Sequence, residues 1–98
     1  MPTFALLTKL AKEEIENPKA RERKGKQWLT RVRARCPRVK WLAHYAVLGP
    51  YDFLDIYEAP DAEEAAKVSL ITQALGATAA ESWTLIPYSR FLRLAKQV

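Results

Sequence analysis

The stretch that decides the fold is Val39–Glu58, VKWLAHYAVLGPYDFLDIYE. Two runs rich in aromatic and aliphatic residues, Val39–Leu48 and Phe53–Glu58, flank the tetrad Gly49-Pro50-Tyr51-Asp52. Glycine, proline and aspartate each favour turn backbone for a separate reason. The segment therefore reads as a β-hairpin. Upstream, Pro37 stops a helix; downstream, Ala59-Pro60 ends the second strand.

The helix before the hairpin runs from about Pro18 to Cys36, opened by the Asn17-Pro18 pair. Leu29, Val32 and Cys36 form one stripe with Trp28 beside it, whereas Ala20–Gln27 has almost no apolar stripe. That first half is expected to project into solvent or to contact another chain. After the hairpin, Asp61 caps a second helix, with Glu64 in a capping-box position; it runs to about Leu75 and Gly76 closes it. Val68–Ala80 carries no charge, so this helix wants a second buried contact besides its own sheet.

Thr3–Thr8 is almost wholly apolar and reads as a central strand. Lys9–Glu16 is a polar connection anchored by Leu10 and Ile15. Thr78–Ile86 is a fourth strand, broken by Pro87. Ser89–Gln97 is a short terminal helix with Phe91, Leu94, Ala95 and Val98 on one face and Arg90, Arg93 and Gln97 on the other. The order is βαββαβ plus a helix. That pattern predicts an α+β, ferredoxin-like sandwich: a four-stranded antiparallel sheet with two helices on one face, in a single domain over residues 1–98. The bare sheet face must then be covered, by a second sheet or by the C-terminal helix. A homodimer or higher oligomer follows from this architecture.

Leu48-Gly49-Pro50-Tyr51-Asp52-Phe53, then Ile56, then Glu58-Ala59-Pro60-Asp61, resembles the signature of the GYD-domain family. The naming residues fall on Gly49, Tyr51 and Asp52. Leu7-Thr8, Pro18, Leu75-Gly76 and Glu81-Ser82 fit the same pattern, while the highly basic first helix and Asp55 depart from it. The resemblance implies a fold similar to the dimeric α+β barrel proteins, a group of monooxygenases, isomerases, cyclases and ligand-sensing domains. It implies an oligomer as well, but no particular reaction.

Composition narrows the functions further. One cysteine excludes an internal disulfide, and one histidine excludes a Cys/His zinc site within a single chain. Three scattered glycines exclude a phosphate-binding loop. No cofactor or metal is expected. No apolar run spans a bilayer, and Met1–Lys12 lacks a signal-peptide pattern, so the expectation is a cytoplasmic protein without membrane contact. The formal charge of +5 is concentrated: nine basic residues against Glu22 alone lie in Lys19–Arg38. Such a helix can bind phosphates. However, the strands lack an aromatic RNA-binding signature, and a solvated helix face is favoured over a nucleic-acid interface.

Candidate site residues lie on the strands. Histidine is the side chain whose unperturbed pKa lies near neutrality, so His44 suits acid–base work, oriented by Asp55 or Tyr57. Pairing Leu48 with Phe53 puts His44, Asp55 and Tyr57 on one face; pairing Leu48 with Asp52 puts Asp55 with Tyr45 and Trp41 instead. Both registers remain open. Glu81 joins the same pocket if the odd-numbered residues of its strand point that way. Gly49, Tyr51 and Asp52 have sufficient structural reasons for their turn positions. Trp41, Trp83, Tyr45 and Tyr57 either pack or line a pocket. Arg35 and Arg38 beside Cys36 would lower its pKa. The leading expectation is a small molecule bound at the sheet face or subunit interface by His44, Asp55, Tyr57 and Glu81. The alternatives are a non-catalytic interaction oligomer and an anion or nucleic-acid binder through helix 19–38. Whether the protein is an enzyme stays open.

Overall fold

A computed structural model describes residues 1–98. The elements in chain order are β1 (Thr3–Leu10), α1 (Lys12–Ile15), α2 (Pro18–Arg35), β2 (Lys40–Ala46), β3 (Phe53–Glu58), α3 (Ala62–Ala74), β4 (Ala77–Leu85) and α4 (Tyr88–Ala95). The four strands form one antiparallel sheet in the order β2-β3-β1-β4. β1 lies inside it, flanked by β3 and β4, and Phe4 through Thr8 are all buried. This is the place its nearly continuous apolar run requires.

Both main helices start on side-chain caps. Asn17 Oδ1 accepts from Ala20 N (3.1 Å), with Pro18 in the first turn, and Asp61 Oδ1 accepts from Glu64 N (2.9 Å). The Glu64 carboxylate does not complete a capping box; it binds Lys67 Nζ instead (2.7 Å). Gly76 ends α3 at φ 108°, a left-handed backbone that favours glycine, and a Cβ there would meet Glu14 Oε1 at 3.1 Å.

The core lies between one sheet face and α2 and α3. Phe4, Leu6, Tyr57 and Ala80 come from the sheet, Cys36 from the end of α2, and Ala65 and Val68 from α3. Each fully buried large side chain, such as Leu6, Val32 or Val68, contributes about 1.5–3 kcal/mol. Trp28 Nε1 donates to Thr72 Oγ1 (2.9 Å) and ties α2 to α3.

Three local expectations change. The connection after β1 is shorter and more ordered, because β1 runs on to Leu10 and Lys12–Ile15 forms α1. β2 stops at Ala46, and neither anticipated hairpin register occurs. Ala46 pairs with Phe53, Tyr45 with Leu54 and His44 with Asp55; an irregularity between Trp41 and Ala43 then brings Trp41 opposite Tyr57. Val47 N donates to Asp52 O (3.0 Å), so the loop widens to residues 47–52. The pairing differs by two residues from the first anticipated register and keeps its faces, since side-chain direction has period two. Finally, α4 does not cover the sheet. All eight of its residues are exposed, Tyr88 at 73% and Phe91 at 53%. Among the chain's own elements, none closes the sheet face carrying Leu54, Ile56 and Trp83.

Candidate functional site

The missing apolar stripe on residues 20–27 has a structural consequence. The second half of α2 packs through Trp28 and Val32, but the first half offers no apolar face to the sheet and stands off it. A cleft of about 630 Å³ lies beneath it. Leu10, Trp41 and Phe53 form the floor, Trp28 and Leu29 one wall, and Arg21, Lys24, Arg33 and His44 the polar lining. The Arg21 guanidinium sits 5.9 Å from the Phe53 ring centre, within cation–π range. Glu14 of α1 reaches under α2 to bind Lys24 Nζ (2.5 Å) and faces Arg21 Nη1 at 3.8 Å. That Arg21 nitrogen is buried without a hydrogen-bond partner.

His44 and Asp55 enter the same cleft as direct cross-strand partners, with His44 Nδ1 hydrogen-bonded to Asp55 Oδ1. The Asp55 side chain is 5% exposed and the His44 side chain 64%. Burial pushes the Asp55 carboxyl up from the ordinary carboxylate range, and the neighbouring His44 partly opposes this. With Nδ1 engaged by the carboxyl group, Nε2 is the nitrogen left to meet a ligand or exchange a proton.

The other two candidates are elsewhere. Tyr57 shares the face of His44 and Asp55 but is fully buried beneath α3. Its ring stacks on Phe4 (5.5 Å), and its hydroxyl bonds Ser82 Oγ (2.7 Å), which also bonds Ser69 Oγ (2.8 Å). Burial raises its pKa. Glu81 points to the opposite sheet face, exposed, accepting from Tyr51 Oη (2.5 Å) and Trp83 Nε1 (3.0 Å). Those two hydrogen bonds lower its pKa. The structure thus joins His44 to Asp55 and separates both from Glu81. Cys36 is also corrected: burial first, then Glu64, push its thiol up, so Arg35 and Arg38 do not activate it. Arg21, Trp28 and Phe53 were missed as cleft residues. Their one sequence signal is the helix half that has no apolar face to pack.

The turn residues are occupied by backbone work. Asp52 Oδ2 accepts from Leu10 N (2.7 Å), and Asp52 N donates to Thr8 O (2.8 Å). Asp52 therefore clamps the hairpin to β1 where β1 slips register against β4 between Lys9 and Leu10. The partners of its carboxylate and amide lie on another strand rather than in the turn. Tyr51 stands edge-on to Trp83 at 6.2 Å. Gly49 has φ 158°, at the edge of the backbone region that favours glycine, with open space where a Cβ would be, whereas a Cβ at Gly76 would also meet Glu14.

The family model described as GYD domain matches residues 4–95. The chain belongs to the GYD-domain family. A curated relative from Thermus thermophilus is 34% identical over 100 residues, covering 98% of this chain and 100% of its own. It is named glutamine synthetase and cystathionine beta-lyase binding protein. No solved structure matches the chain significantly. In this GYD domain the naming tyrosine and aspartate hold strands and sheet face together, and the cleft with His44 and Asp55 opens on the other side of the sheet. No helix of the domain is long and apolar enough to cross a membrane.

Proposed function

We propose that this GYD domain is a non-catalytic interaction protein, acting as a homo-oligomer that docks on other proteins. One observation carries the proposal: the end-to-end likeness to a relative named for binding two enzymes. The surfaces agree with it. One sheet face has partly exposed apolar side chains and no cover, and α4 presents Tyr88, Phe91, Leu92 and Leu94 outward. Sheet order β2-β3-β1-β4, with the core between one face and two helices, supports reading the fold as ferredoxin-like. In that fold the open face is the natural place for a second copy.

Sedimentation velocity with fluorescently labelled protein tests the docking. Purified glutamine synthetase and cystathionine beta-lyase from the same organism are the first partners, with an unrelated enzyme as control. Cosedimentation with one or both at micromolar concentration is expected. Free label with both would overturn the proposal.

A second reading, a small-molecule site, is favoured by the cleft beneath α2 and the His44–Asp55 pair within it. Tyr57 and Glu81 take no part there. His44 would bind through Nε2, and Asp55 would hold the ring's orientation.

A further inference from the structure

We infer that the cleft beneath α2 takes a small organic anion with a flat, apolar body. This rests on the small-molecule reading and adds the ligand's chemical class. The body is set by the walls. Trp28 and Trp41 meet edge to face at 5.0 Å, and Phe53 lies on the floor, so the cleft offers aromatic surfaces on more than one side. A volume of about 630 Å³ suits a compound of drug-like size rather than a single ion.

The charge is set by the lining. Arg21 Nη1 and the Glu14 Oε2 that it faces at 3.8 Å are both buried without a hydrogen-bond partner, and the guanidinium's planar fork suits a carboxylate or sulfonate. Glu14 Oε1 hydrogen-bonds Lys24, and Oε2 pairs with Arg21 only as an ion pair at 3.8 Å, too long for a hydrogen bond. Arg33 lines the cleft with no acidic partner in the chain, while Lys26 is tied to Glu22 at 3.6 Å. The one carboxyl group on the floor, Asp55, is engaged by His44. An incoming anion therefore meets Arg33, which has no acidic partner, and an Arg21 whose Glu14 contact leaves hydrogen-bonding capacity, while the lining carboxylates Glu22 and Asp55 are each paired.

Gly25 supplies a clean way to close the site. It lines the cleft, and no atom lies within 4 Å of where its Cβ would stand. Gly25→Phe sets a bulky ring in the cleft lining while replacing a helix-interior glycine by a better helix former, so the fold should hold or gain thermal stability.

The probe is 8-anilinonaphthalene-1-sulfonate, compared with N-phenyl-1-naphthylamine, which has the same aromatic body without the sulfonate. The sulfonate probe is expected to bind one site per chain and quench tryptophan emission. Gly25→Phe should weaken it at least tenfold, and Arg21→Gln several-fold, with unchanged circular dichroism. The neutral amine should bind at least tenfold more weakly and ignore Arg21→Gln. Equal binding of both probes, both lost in Gly25→Phe, would overturn the anion preference and leave the cleft reading standing. No binding, or binding indifferent to Gly25→Phe, would overturn both. If Gly25→Phe misfolds, the Arg21→Gln arm decides: equal loss for both probes, or loss for neither, contradicts the proposal.

Discussion

Asp55 and Glu81 are strand carboxylates separated only by β1. Asp55 pairs across to Leu6 and Glu81 to Leu7, and successive residues of a strand point to opposite faces. That single step in β1 gives them opposite fates. Asp55 faces the helices, is nearly inaccessible, and has its pKa pushed up by burial. Glu81 faces the uncovered side, exposed, and has its pKa pulled down by Tyr51 and Trp83. The comparison teaches that one sheet serves two purposes. The covered face supplies the core and the cleft. The uncovered face has ordered polar groups around an apolar patch, but nothing of its own chain to close it.

The largest effect should come from charging the uncovered face. Ile56 lies there, opposite Ala5 and Ala43. Ile56→Glu is expected to weaken self-association about a hundredfold or more, as a charge placed in an apolar interface does, with far-UV circular dichroism unchanged. An equally strong oligomer, measured by sedimentation equilibrium, would remove that face from the interface. On the covered face, Tyr57→Ala should cost about 3–5 kcal/mol in urea denaturation, and Tyr57→Phe about 1 kcal/mol, since Ser82 keeps Ser69 as a partner. A Tyr57→Ala cost near zero would mean that the face is not the core.

Next in size is a pH effect at Asp55. A carboxyl whose folded pKa is raised adds stability that is fully present below its unfolded pKa and is lost as pH rises through the folded value. Asp55→Asn lacks that loss. Its stability relative to the parent should therefore improve from about pH 3.5 to pH 7. The opposite trend would show that the pairing with His44 outweighs burial. The smallest effect should be Glu81→Gln, with the reverse sign. A lowered carboxylate pKa contributes stability above the unfolded value and loses it as pH falls through the folded one. The melting temperature should drop slightly at pH 7, and the difference should vanish at low pH.

Much of the architecture was legible because it depends on periodicity and punctuation. Pro18, Pro37, Gly76 and Pro87 mark boundaries through backbone sterics that tertiary packing does not override. Register was not legible. The irregularity at Leu42 and the six-residue loop move pairing without changing the hydrophobic pattern that a reader can see. The site divided along the same line. His44 and Asp55 were readable as partners from strand parity, although the pairing came from a register not considered. Glu81 hung on the parity of its strand, which β1 decides. The cleft left only a negative trace, a basic half-helix with no apolar stripe. Glu14, in a segment read as mere connection, binds the lining residue Lys24.

The uncovered sheet face makes the most direct demand on experiment. Native mass spectrometry of the purified protein at micromolar concentration should give a mass that is two or more times the 11.2 kDa chain. Ile56→Glu should bring it down to one chain. A parent protein found only at 11.2 kDa would contradict the account, because the face would then stand uncovered in solution.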